Sequence, residues 1–366
     1  MTGDRVALAA AHVVADPSAE HGPGRPAAVD WDATLAFRHH LWRLGLGVAD
    51  AMDTAQRGKG LDWPAARELI TRSGREAAAA GGRLACGAGT DQLAVPDRDN
   101  GPGRDNGPAR SLAGIRAAYA EQAEVVEAAG AQVVLLASRA LAACARGPDD
   151  YAAVYGPLLD QVSRPAILHW LGPMFDPALE GYWGSPDLDV AAEALLSIIA
   201  EHRDKVDGVK VSLLDADREI AFRRSLPAGV RLYTGDDYHY LELIRGDDLG
   251  HSDALLGVLD AIAVPAAAAL AALREGDVRR YTELLAPTLP LARHLFARPV
   301  PHYTTGIVFL AWLAGYQDQF VMLGGQQTAR SLPYLRRLVR LAGPAGVLPD
   351  PELAARRLAE LTPTAA

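Results

Sequence analysis

Residues 208–237 read GVKVSLLDADREIAFRRSLPAGVRLYTGDD. Two short runs rich in Val, Leu and Tyr, at 208–211 and 230–234, bracket a helical stretch at 215–225. Strand, helix and strand in that order make a parallel crossover, since parallel neighbours need a long connection whereas antiparallel ones close with a tight turn. The same alternation extends in both directions. Strand-type runs fall at 6–10, 47–51, 83–86, 133–137, 166–169 and 255–263, and helical stretches at 31–44, 63–80, 111–129, 149–162, 188–203 and 237–246. Eight strands, each followed by a helical stretch, predict an α/β fold: a (β/α)8 TIM barrel rather than an open doubly wound sheet.

Helix starts agree with this map. Asp30 and Asp62 stand just ahead of helical patterns, Pro64 falls near a first helical position, and Ser111 opens SLAGIRAAYAEQAEVVEAAG, which runs at helical spacing until Gly130. Beyond Pro265 the strand signal stops, and 265–274, 277–298, 303–317, 328–342 and 350–361 all read as helices. The expected organisation is a catalytic barrel domain over 1–264 and a C-terminal helical extension over 265–366. The segment 96–110, PDRDNGPGRDNGPAR, contains RDNGP twice and reads as an exposed loop insertion, because Gly, Pro, Asn and Asp at that density specify turns.

The 366 residues carry a formal net charge of −9, which argues against a general nucleic-acid surface. No uninterrupted apolar run reaches the roughly 18 residues that suggest a membrane-spanning helix. The first residues lack the basic start and cleavage site of a secretory signal, so a cytoplasmic protein is expected. Cys86 and Cys144 lie in apolar or Ala-rich surroundings and read as buried thiols rather than a disulfide. Of 36 basic residues only Lys59, Lys205 and Lys210 are lysine. A chain that uses Arg wherever positive charge suffices gives a lysine inside an apolar run a chemical meaning, because Arg cannot shed its proton to become a nucleophile.

Side chains at the C-terminal ends of barrel strands point into the active site. There the sequence places Met52-Asp53-Thr54, His169-Trp170, Lys210 and Thr234-Gly235-Asp236-Asp237. Buried between two valines, Lys210 would have its ammonium form disfavoured, leaving free amine to condense with a ketone or aldehyde. The competing reading is a buried ion pair with Asp236 or Asp237. Arg57 and Lys59 could bind a substrate carboxylate or phosphate, or be solvated loop charge. Trp170, Met174, Phe175, Tyr182 and Trp183 could line the pocket or pack against a neighbouring subunit. His239 could face the barrel mouth or lie on a helix surface.

GVKVSLLD resembles the strand-six motif of the dihydrodipicolinate synthase and N-acetylneuraminate lyase superfamily, with Lys210 on its Schiff-base lysine. PAILHWLGP, VRLYTGDDYHYLELI and HLFARPVPHYTTGIVFLAWLAG resemble its strand-five, strand-seven and C-terminal helical segments, and about residues 5 to 341 lie along the pattern. The resemblance implies an aldolase-type lyase that forms an imine, needs no dissociable cofactor, and assembles as a homo-oligomer, a dimer or tetramer. The chain departs from the family where His169 replaces the strand-five tyrosine and Thr54 is followed by Ala55 instead of a second threonine. It also lacks the tyrosine after strand four and the arginine after strand five. These losses argue against the synthase reaction itself.

The expectation is therefore a lyase acting on a 2-oxo acid or a sugar-derived carbonyl compound. Lys210 forms the imine and Thr54 holds substrate oxygens, while His169, with an ordinary imidazole titration near neutrality, shuttles protons. Asp53, Arg57, Trp170, Asp236, Asp237 and His239 complete the substrate site. Partners are a small-molecule carbonyl substrate and copies of the chain itself, with no nucleic acid, membrane or metal. Two alternatives are a metal-dependent barrel lyase or isomerase, with Asp53, His169, Asp237 and His239 as ligand types, and a barrel without catalysis that binds a metabolite.

Overall fold

The structure, a computed structural model, describes residues 4–93 and 111–361, so the loop insertion expected at 96–110 lies outside the described residues. Eight parallel strands close into a barrel in sequence order: β1 (Ala7–Ala10), β2 (Gly47–Asp50), β3 (Leu84–Ala88), β4 (Gln132–Leu135), β5 (Ala166–Leu171), β6 (Val206–Ser212), β7 (Arg231–Thr234) and β8 (Asp253–Leu256). Pairing of β1 with both β2 and β8 makes the closure. Helices α1 (Trp31–Arg43), α2 (Trp63–Ala80), α3 (Leu112–Ala128), α4 (Arg139–Cys144), α5 (Pro148–Gln161), α6 (Leu188–Glu201), α7 (Ala216–Ser225) and α8 (Tyr240–Arg245) fill the crossovers. The predicted TIM barrel is the fold observed.

The strands read as nearly continuous apolar runs because both of their faces are buried. Leu8, Ala10, Ala49, Ala85, Val134, Ile167, Tyr233 and Leu255 form the barrel interior. The alternate residues Ala9, Val48, Cys86, Leu135, Leu168, Val209 and Ala254 face the helix layer. Gly208 on the inner face of β6 makes room for a large neighbour, since a Cβ there would stand 2.8 Å from the Tyr233 ring. The expected caps form: Asp30, Asp62 and Ser111 each accept a hydrogen bond from a first-turn N–H, those of Ala33, Ala65 and Gly114.

The last strand differs from its expectation. The run 255–263 is apolar apart from Gly257 and Asp260, but β8 ends at Leu256 and a helix begins at once, α9 (Val258–Ala261), followed by α10 (Ala263–Arg274). Asp237 Oδ1 accepts the Val258 N–H at 2.8 Å and so supplies a partner for the first turn. A short apolar run buried on all sides carries no periodicity to tell strand from helix. The expected helix at 277–298 is two helices, α11 (Val278–Leu285) and α12 (Leu289–Leu295), joined by a 3-10 turn around Pro287. Then come α13 (Tyr303–Leu313), α14 (Leu332–Ala342) and α15 (Pro351–Glu360). All eleven residues of α13 are buried, and its first turn abuts the 3-10 turn Asp53–Ala55 at the end of β2. No helix among the described residues is long and apolar enough to cross a membrane.

One polar cluster under the β1–β2 end is fully enclosed. Arg38 on α1 donates to both carboxylate oxygens of Asp50, at 3.1 and 2.9 Å, and to the carbonyls of His12 and Thr34. Ser73 of α2 donates to the same carboxylate at 2.6 Å. Removing one partner of such a pair strands the other charge in the interior, at a cost of about 3–5 kcal/mol. Arg38→Met is therefore expected to lower urea-unfolding stability by about that amount, and Arg38→Met with Asp50→Leu by less than the sum of the two single changes. Strict additivity would show that the pair is not coupled.

Candidate active site

Lys210 lies on the inner face of β6, because its neighbours Val209 and Val211 both face the helix layer. It is 7% exposed, and among the described residues its amine makes no hydrogen bond and no ion pair within 4.0 Å. Burial lowers its affinity for a proton, while the carboxylates of Asp53 and Asp237 act in the opposite direction without cancelling it. The lysine is thus not the tight ion pair that sequence reading weighed against a nucleophile. Its stem is held by close packing: a Cβ at Gly235 would stand 3.0 Å from Lys210 Cε and 2.1 Å from Ser212 Oγ, so Gly235 leaves the space that these two side chains fill.

His169 is the direct partner of Lys210 across the β5–β6 ladder. Its Nε2 pairs with Ser212 Oγ at 3.2 Å, and its Nδ1 is buried without a hydrogen-bond partner. Burial, and then the positive charge of Lys210, push its titration well below the ordinary imidazole range. Both influences weigh against the expected shuttle: they favour the neutral imidazole, which can give or take a hydrogen bond but holds a proton weakly.

Two carboxylates flank the lysine from other strands. Asp237, fully buried, is raised by that burial. Asp53 comes from the turn after β2 and lines the cavity described below. Beside Asp53, Thr54 Oγ1 lies 2.9 Å from the hydroxyl of Tyr303, the first residue of α13. Burial and the charge of Asp53 hold that phenol well above its usual range. Tyr303 lies in the C-terminal helical segment, where nothing in the sequence singles it out.

The other expected contacts are committed to protein partners or turned away from the site. All five guanidinium N–H groups of Arg57 are engaged, by both oxygens of Asp91, the carbonyls of Ala51 and Gly87, and Gln122 Oε1, which leaves none for a substrate. Trp170 follows His169 on the strand and so faces the other way, its ring edge-on to Phe222 of α7 at 5.6 Å. Asp236 Oδ1 accepts the N–H groups of Tyr238 and His239, and its Oδ2 pairs with His239 Nδ1 at 2.8 Å, so these two residues build the turn into α8. Tyr182 and Trp183 pack their rings on Tyr151 and Tyr155 of α5.

A cavity of about 280 Å3 opens at the C-terminal ends of β2 to β5. Asp53 and His169, which flank Lys210, are part of its wall, with Thr90, Ser138, Arg139, Asp176 and an apolar side made by Leu136, Leu171 and Leu179. Its size is at the small end for a ligand pocket. Thr90, Ser138 and Arg139 were missed in the sequence, although they follow β3 and β4 as active-site residues do. Among the described residues no group of three or more His, Cys, Asp or Glu side chains is placed to hold a metal ion.

The sequence model of the family described as "Protein of unknown function (DUF993)" matches residues 1–365. No curated protein matches the chain. Dihydrodipicolinate synthase from Aquifex aeolicus superposes with a TM-score of 0.70 at 14% identity, over 94% of this chain and 99% of that one. The enzyme from Thermotoga maritima gives 0.66 at 13%, over 95% and 100%. A prophage protein of the dihydrodipicolinic acid synthase family from E. coli K12, in complex with pyruvate, gives 0.67 at 14%, over 94% and 99%. The superfamily likeness read from the sequence thus holds for the fold across nearly the whole chain.

With three lysines in the chain, lysine-selective 15N labelling allows each amine to be followed by NMR. The Lys210 amine is expected to titrate below the ordinary lysine value of 10.5. Because the Asp53 carboxylate favours the ammonium form, Asp53→Asn is expected to move the titration further down. A Lys210 signal at the ordinary value in both proteins would contradict the electrostatics described above.

Proposed function

The chain belongs to the DUF993 family of proteins of unknown function, and we propose that it is a Schiff-base lyase of the aldolase type whose nucleophile is Lys210. The observation that carries this reading is a buried primary amine without a direct ionic partner among the described residues, at the C-terminal end of a barrel strand. The synthase-like neighbours add weight, since one of them is a complex with pyruvate, a 2-oxo acid.

On this reading the neutral amine attacks the substrate carbonyl carbon, and the C=O electron pair moves to oxygen, which takes a proton. Loss of water leaves an iminium. The bond to the carbon bearing a β-hydroxyl then breaks as that hydroxyl gives up its proton, and the bonding pair flows into the iminium to give an enamine. Protonation of the enamine and addition of water return the amine and release the second product. The iminium supplies the electron sink, so no dissociable cofactor is required.

Each neighbour has a part in this scheme. Asp237, whose carboxyl burial has raised, is suited to take the lysine's proton. Asp53 faces both the lysine and the cavity, where it can accept from a substrate hydroxyl. His169 offers Nδ1 to a substrate oxygen or hydroxyl. Thr54, backed by Tyr303, supports the same end of the site. The substrate is a small carbonyl compound, a 2-oxo acid or a sugar-derived one, and the working form is a homo-oligomer in the cytoplasm. The metal-dependent alternative lacks a ligand cluster among the described residues: His12 pairs with Asp260 and His239 with Asp236.

Borohydride reduction in the presence of pyruvate and a panel of oxo acids and keto sugars tests the proposal. A mass increase on the peptide containing Lys210 is expected, absent in Lys210→Met. Trapping should rise with pH through the lysine's lowered titration and then level off. Gly235→Ala, by displacing the lysine stem, should slow trapping without abolishing it. A panel that leaves Lys210 unmodified, while one of its members binds, would instead support a metabolite-binding barrel.

A further inference from the structure

The outer wall of the cavity holds a cation for which the imine chemistry has no use. Arg139, the first residue of α4, has its side chain 46% exposed. Its Nε donates to Asp176 Oδ2 at 2.5 Å, and Asp176 Oδ1 in turn accepts the Ala178 N–H. Asp176 thereby fixes one edge of the guanidinium. The amino groups Nη1 and Nη2 have no partner among the described residues, in contrast to those of Arg57, the other guanidinium in the wall.

Two further groups on the wall point to a ligand. Thr90 Oγ1 and Ser138 Oγ lie 2.6 Å apart, and Ser138 Oγ also accepts the Leu141 N–H. Whichever hydroxyl donates to the other, one O–H proton remains for an outside acceptor. At the inner end, the Nδ1 of His169 is buried and unsatisfied. A buried polar atom without a partner carries a cost that a bound ligand would remove. Between these ends the wall is aliphatic.

We infer that the substrate carries a carboxylate or phosphate at the end remote from its reacting carbonyl, and that Arg139 binds this anion through Nη1 and Nη2. The remoteness follows from the layout: Arg139 lines the cavity with its side chain half-exposed, whereas Lys210 is 7% exposed and is not itself part of the cavity wall, standing next to its member His169 across the β5–β6 ladder. A planar fork already held by one edge is suited to a two-oxygen anion. The neighbouring hydroxyl adds a donor, and the leucines accommodate the short carbon chain between the two ends. The inference rests on the Lys210 reading for the position of the carbonyl.

The test compares wild type with Arg139→Gln by borohydride trapping. The probes are 4-oxopentanoate, with a terminal carboxylate, dihydroxyacetone phosphate, with a terminal phosphate, 2-pentanone, which is neutral, and pyruvate, whose charge adjoins the carbonyl. Loss of a charge-assisted bond predicts about a ten- to hundredfold slower trapping of at least one terminally charged probe. Which of the two responds tells carboxylate from phosphate, and 2-pentanone and pyruvate should be unchanged. Equal trapping of every probe by the two proteins, or an equal loss on all four, overturns the inference. If wild type traps none of them, the Lys210 reading fails, and calorimetric titration with succinate and with inorganic phosphate then tests Arg139 by itself. Weaker binding to Arg139→Gln supports the anion site, whereas equal binding, or none to wild type, overturns it.

Discussion

Keeping one amine away from water without giving it a contact ion pair is the constraint that the rest of the site answers to. A lysine ammonium inside a barrel is costly, and the protein can lower that cost either with a contact ion pair or by letting the proton go. Here the carboxylates of Asp53 and Asp237 lie close enough to be felt but outside contact distance. The result is a balance in which burial still prevails. The same burial acts on the neighbours with opposite sign, raising the Asp237 carboxyl and lowering the His169 imidazole. Three groups that would each be charged or half-charged in water are thus pushed together toward their neutral forms.

That balance depends on the architecture around it. Gly235 lets the lysine stem pass beside Ser212, and Ser212 in turn fixes the histidine. The C-terminal helices take part directly, since α13 delivers Tyr303 to Thr54. Phe296 stacks on the Tyr303 ring with centroids 4.4 Å apart, and Phe175 from the loop after β5 meets the same ring edge-on. The helices after the barrel are therefore part of the wall around the β2 end of the site, and their packing carries into its geometry.

The barrel was legible because its signal is repeated: strand, helix and cap recur, and local errors do not accumulate. The end of β8 was not, since the apolar run 255–263 looks the same whether extended or helical. Lys210 was legible for a compositional reason, its rarity among arginines, and its alternation between two outward valines places it inside the barrel. Trp170 was misread by ignoring that same alternation. Arg57 and Arg139 show the deeper limit. Both are arginines that shortly follow a barrel strand, and nothing local distinguishes them. What separates them is Asp91 and Gln122, brought from 34 and 65 residues away to saturate one guanidinium, while Asp176 binds only one edge of the other.

The neutrality of His169 bears on how the proposed chemistry would divide its labour. The reactive iminium carries a positive charge beside the imidazole from its formation until the bonding pair of the breaking bond neutralises it as the enamine. The influence that keeps His169 from binding a proton is thus present as the bond begins to break. A proton leaving a substrate hydroxyl is better received by a carboxylate, and the two that face the lysine have a counter-charge for as long as the iminium stands. The histidine keeps a different value: with Nε2 beside Ser212, its neutral Nδ1 can hold a substrate oxygen without competing for the charge. On the proposed chemistry, an imidazole where the resembled superfamily has a tyrosine leaves proton transfer to Asp53 and Asp237 and orientation to the ring.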